Sequence, residues 1–126
     1  MTTELSYIER RMITLAEVLL TRTREAKVEW STTDRGNRFS HSGRSSSVWI
    51  EGKFDSDGDW NGTLTLLNSE GEVVELLQCG FEPRGDDTYN PSPWNKTLEE
   101  LHDLARRRAL NVDKVIDETL RELGID

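Results

Sequence analysis

The stretch G-N-R-F-S-H-S-G-R-S-S-S-V-W, Gly36 to Trp49, gathers two glycines, a run of serines behind Arg44 and a histidine. Such a composition suggests phosphate binding, since glycine lets backbone N–H groups approach an anion and a guanidinium forks onto it. A phosphate-binding P-loop, however, needs G-x-x-x-x-G-K-[ST] between a strand and a helix. Here six residues separate Gly36 from Gly43, Arg44 stands where lysine would, and the strand-like V-W-I-E-G-K-F follows. The P-loop reading fails, and the segment reads first as a polar hairpin or edge strand. Beside that stands a narrower ligand reading. Arg35, Arg38, His41, Arg44 and Ser45 would hold a small anionic metabolite or nucleotide, and Trp49 would stack on its ring.

Other chemistry-bearing clusters yield less. The acidic run D-S-D-G-D-W-N-G, Asp55 to Gly62, invites calcium, but an EF-hand loop wants glycine at its sixth position and glutamate at its twelfth. Trp60 and Leu66 occupy those places, so a β-turn is the better reading. Nucleophilic catalysis needs a serine or cysteine beside an oriented base. The chain has only His41 and His102, without a surrounding signature, and Cys79 ends an apolar strand as a small half-buried hydrophobe. No catalytic residue, metal site or cofactor is therefore expected. The basic run Arg106 to Arg108 lies among Glu99, Glu100, Asp103 and Asp113 at helical spacings, which makes it a solvated, ion-paired face.

The elements that must position these residues follow from periodicity. Leu5, Ile8, Met12, Leu15, Leu19 and Ala26 alternate at three and four, predicting a helix from about Thr3 to Ala26. Ile13, Ala16, Val18 and Leu20 widen its apolar face beyond what one neighbour covers. K-V-E-W-S, S-S-V-W-I-E-G-K-F, W-N-G-T-L-T-L-L-N and V-V-E-L-L-Q read as strands joined by the turns R-G-N, D-S-D-G-D and N-S-E-G-E. Residues 80–95 hold all three prolines and form a loop anchored by Phe81, Tyr89 and Trp94. T-L-E-E, with Thr97 as cap and Glu100 three residues on, predicts a capping box. Beyond it Leu98, Leu101, Leu104, Ala105 and Ala109 repeat at helical spacing, followed by Val112, Val115, Ile116, Leu120 and Leu123 up to Gly124. A break at Asn111 divides the run.

The expected architecture is a single α+β domain over residues 1–126. It has a long N-terminal helix, an antiparallel meander of four to five strands, and one or two C-terminal helices packed on one sheet face. The leading helix, Lys27 to Trp30 as K-x-x-W, the short meander and the closing L-x-x-L-x-x-x-A-R-R-x-A-L-x-V-D, Leu98 to Asp113, resemble small uncharacterised prokaryotic and phage-type domains. The resemblance implies the fold, no reaction and no functional residue. Where that group would carry a tyrosine beside the first leucine pair of the closing helix, this chain has His102.

Size and charge bound the rest. The 126 residues carry a net charge of −8, distributed as +2 over residues 1–54 and −10 over residues 55–126. Such an acidic balance disfavours nucleic acid, whose binding rests on neutralising phosphates. No run of about 18 apolar residues occurs, so no membrane association is expected. The lone cysteine, and a start lacking the basic and apolar regions of a secretory signal, point to the cytoplasm. The function expected is a noncatalytic binding or regulatory module acting through protein–protein interaction. It would work as a homodimer through the first helix or a sheet edge, and the small-anion binder is the alternative.

Overall fold

The computed structural model describes residues 5–85 and 89–125. Its elements are α1 (Tyr7–Arg24), β1 (Ser31–Thr32), β2 (Arg38–Ser42), β3 (Ser46–Phe54), β4 (Trp60–Asn68), β5 (Val73–Gln78), β6 (Phe81–Pro83), β7 (Tyr89–Pro91), α2 (Asn95–Ala109) and α3 (Val112–Glu122). The fold is α+β, as the periodicity predicts. Strands β1 to β5 form one antiparallel meander in chain order, while β6 and β7 form a separate two-stranded ribbon within the proline-rich loop.

A Ser6 to Glu9 capping box opens α1. The Ser6 hydroxyl accepts the Glu9 N–H at 3.0 Å and the Glu9 carboxylate accepts the Ser6 N–H at 3.4 Å. The helix lies within the predicted span, whose first residue, Thr3, falls outside the described residues. Met12, Ala16, Leu19, Leu20 and Thr23 form its buried face. It ends in a Schellman turn: the Lys27 N–H reaches the Arg22 carbonyl at 2.9 Å and the Ala26 N–H reaches Thr23 at 3.0 Å. Ala26 sits at φ +59, the left-handed conformation that glycine usually fills.

The strand expected over K-V-E-W-S is shorter and later than its alternation suggests, because residues 27–30 fold back over α1. The buried Trp30 indole donates to the Thr23 hydroxyl at 3.0 Å, and the His41 Nδ1–H donates to the Glu29 carbonyl at 2.8 Å. That carbonyl is thus bound by a side chain where a ladder partner would have stood.

In β2 and β3 alternate residues face opposite ways. Phe39 pairs with Ile50 and His41 with Val48 on the face covered by α2, while Arg38 pairs with Glu51 and Ser40 with Trp49 on the other. On the covered side Phe39, Ile50, Leu64, Leu98 and Leu101 are fully buried. Gly52 and Gly62 oppose each other across β3 and β4, and the Trp60 ring lies on both. A Cβ at either glycine would fall 2.1 Å from that ring.

Helix α2 begins at Asn95, two residues before the cap read from T-L-E-E, and no side chain caps it. Thr97 is inside the helix, and Glu100 instead pairs with Arg24 at 2.7 Å, joining the two long helices. The Trp94 and Asn95 side chains fix this start by bonding to residues 78–80: Trp94 Nε1 donates to the Gln78 carbonyl, and the Asn95 amide both accepts from and donates to Gly80. Phe81 and Tyr89, expected as anchors, are exposed on the ribbon, whereas Trp94 is half-buried. The expected break at Asn111 is present, but by another means. Asn111 adopts φ 51, ψ 49 and turns the chain through its backbone, without a side-chain cap.

Candidate functional site

The loop ahead of β2 is shaped by Thr33. Its hydroxyl donates to the Arg38 carbonyl at 2.9 Å and accepts the Arg35 N–H at 3.2 Å, a compact Ser/Thr turn. Arg35 is thereby set next to Arg38 on the uncovered sheet face. Both guanidiniums reach one carboxylate oxygen of Glu51, Arg38 at 3.4 Å and Arg35 at 3.7 Å. Arg38 also stacks on Trp49 with its guanidinium carbon 4.2 Å from the ring centroid, and only 13% of its side chain is exposed, against 62% for Arg35. A shallow polar depression of ≈ 330 Å³ opens beside them, walled by Glu51, Lys53, Asn61, Thr63 and Gln78.

Of the residues predicted for a ligand, Arg35, Arg38 and Trp49 therefore come together, with Glu51 as a member that the sequence reading did not include. Strand alternation separates His41, and distance along the hairpin separates Arg44 and Ser45. His41 points to the opposite face, tilted against Trp30 with ring centroids 6.0 Å apart. Arg44 and Ser45 lie in the exposed turn closed by the Gly43 to Ser46 hydrogen bond, at the far end of the hairpin from the Arg38 to Glu51 pair. The stacked Trp49 face that a ligand ring would need is occupied by Arg38.

The acidic run Asp55 to Gly62 is a hairpin turn. Asp55 Oδ1 accepts the backbone N–H groups of Asp57 and Asp59, and Oδ2 accepts the Asn61 amide at 2.7 Å. These bonds, led by that from Asp59, hold the Asp55 carboxyl below its ordinary pKa. Among the described residues, no three His, Cys, Asp or Glu side chains gather to hold a metal ion. Burial raises the pKa of the half-buried Cys79 thiol, which disfavours a reactive thiolate. His102 is packed between Phe39 and Trp60, at 5.5 and 5.4 Å between centroids, and its Nε2–H donates to the Asn37 carbonyl at 2.9 Å. Its placement is structural. In the R-R-R run, Arg106 and Arg107 both pair with Asp103, at 3.2 and 3.1 Å.

A second feature lies at the C-terminal end. Along α3 Val112, Val115, Ile116, Thr119, Leu120 and Leu123 fall on one side of the helix, while Asp113, Lys114, Asp117, Glu118, Arg121 and Glu122 fall on the other. No residue of α3 is buried, and Val115, Ile116 and Leu123 are 53%, 50% and 72% exposed. The helix touches chiefly α2, from which Asn111 turns it away. The sequence contains this stripe as a continuation of the helical period; what the period does not reveal is that the turn at Asn111 leaves it uncovered.

Comparison with protein-family models, with curated proteins and with solved structures finds no match for the chain. Among the described residues, no helix is long and apolar enough to cross a membrane.

Proposed function

We propose that the protein is a noncatalytic interaction module whose docking element is α3, and that its target is a protein surface both apolar and basic at its edges. One observation carries the reading: a fully amphipathic terminal helix keeps its aliphatic side uncovered by its own chain. Exposed contiguous apolar surface of this kind favours a binding site, because water contact costs roughly 25 cal/mol per Å² that a partner would remove. Asp113 and Glu122 flank the stripe and favour arginine or lysine opposite. A cytoplasmic setting, where the single thiol stays reduced, suits this role.

The test is a photo-crosslinking phenylalanine derivative placed at position 116, with position 117 on the polar side as control, in living cells. Protein adducts at position 116 and not at 117 are expected. Absence of any adduct at position 116 would overturn the reading.

The anion-binding alternative has one observation behind it: Arg35 and Arg38 share a single carboxylate, so the pair keeps a net positive charge with Arg35 open to solvent. Thermal shifts with inorganic phosphate or nucleotides, lost in Arg35→Ala, would support it. No shift with any anion would remove it.

A further inference from the structure

We infer that the surface α3 docks on is the outer stripe of α1 in a second copy of this chain, reciprocally, so that two α3 to α1 contacts close a twofold dimer. The inference rests on the reading of α3 as a protein-docking element and names its partner. Helix α1 buries one face against its own core and leaves a second, apolar and basic stripe outside. Tyr7, Ile8 and Val18 are 63%, 48% and 49% exposed, Leu15 is half-buried beside them, and Arg11 and Arg22 lie in the same arc. From Tyr7 to Val18 is eleven residues, as from Val112 to Leu123, so both stripes run for roughly 17 Å at 1.5 Å per residue.

Charge selects this pairing. On the α1 stripe Arg11 and Arg22 stand against one carboxylate, Glu25, which pairs with Arg22 at 3.5 Å, net +1, while α3 carries Lys114 and Arg121 against four carboxylates, net −2. Pairing α3 with its own copy would set the Glu118 and Glu122 edge against itself. Of the sheet's two edges, β1 has only 2 residues, and β5 is poorly suited to adding a strand: the ladder shifts register between Leu66 and Leu67, and Glu75 points toward the helix-covered side. An anionic membrane would meet the acidic flanks of α3 unfavourably.

The experiment compares the full chain with two variants by light scattering at micromolar concentration. Variant one is Ile116→Asp with Leu120→Asp; variant two is Ile8→Asp with Val18→Asp. All four side chains are exposed, so circular dichroism should show both variants folded. The parent chain should be a dimer, each variant alone should associate about 30-fold or more weakly, as loss of interface anchors does, and an equimolar mixture should recover a dimer through its one intact contact. A monomeric parent chain, or a mixture that stays monomeric, overturns the inference; so does parent protein that sediments with anionic vesicles. Adducts at position 116 to other proteins, combined with a monomeric parent chain, would refute this partner while leaving α3 as the docking element. No adducts at all would refute both.

Discussion

Gly62 lacks a side chain because the indole of Trp60 fills the place where one would stand. A Cβ there would meet the ring at 2.1 Å and the Glu51 carbonyl at 2.4 Å, so Gly62→Ala must lift Trp60 away from His102 or bend β4. Overpacking of this kind costs typically about 1–3 kcal/mol. The variant should show a lower urea midpoint at unchanged slope and altered tryptophan emission; an unchanged midpoint would contradict the packing described. His102, pressed against the same ring, should make stability depend on pH. Burial is the largest cause lowering its pKa, with Arg106 adding to it, opposed by the Asn37 hydrogen bond and by Asp103. Since the folded protein disfavours the proton more than the unfolded chain does, stability is complete above the ordinary histidine value of about 6.5 and falls as pH drops through it. His102→Gln, which keeps a donor for Asn37, should flatten that fall between neutral and mildly acid pH, as read by denaturation at successive pH values. An unflattened profile would assign the dependence elsewhere.

Among the elements, those with strong period or turn chemistry agree with the sequence, and the exceptions have local causes. The D-S-D-G-D and N-S-E-G-E turns form as read because Asp55 and Asn68 organise them, each accepting two backbone N–H groups. The start of α2 departs from T-L-E-E because Trp94 and Asn95 fix it earlier by bonding to residues 78–80, and Glu100 engages Arg24 across 76 residues, partners of which local sequence holds no trace. Phe39 belongs to the core although it stands in a serine-rich run; the alternation R-F-S-H-S carried that information in only five residues. Helix α3 is the element whose absence should matter least to the fold. With none of its residues buried, a chain ending at Leu110 should match the Ile116→Asp/Leu120→Asp variant in stability to within about 0.5 kcal/mol, the usual effect of surface changes, since any contribution from dimerisation is lost in both. Equilibrium unfolding of the truncated protein checks this, and a large loss would mean that α3 packs more closely on the domain than its exposure indicates.

At the scale of the whole molecule, the candidate site is less legible in the sequence than the fold is, because it depends on which residues share a face and which faces stay bare. Arg35, Arg38 and Arg44 are neighbours in sequence, yet the hairpin carries Arg44 to its far end while bringing Glu51 onto the other two. The uneven charge is plain in the sequence, +2 over the first 54 residues and −10 over the rest, but its meaning appears only with α1 and α3 at opposite ends of the chain and both bearing uncovered apolar stripes. If those ends meet between copies, attraction between exposed opposite charges contributes to association and is screened as the Debye length shrinks from about 30 Å at 0.01 M salt to about 10 Å at 0.1 M. The apolar contact is insensitive to that change, so the dimer should weaken with salt and yet persist. Sedimentation equilibrium across this range should show a dissociation constant rising a few-fold, mostly through slower association. A dimer indifferent to salt would be held by apolar contact alone and would remove charge as the selector of α1. Complete dissociation would mean that the aliphatic stripe of α3 contributes little to the contact.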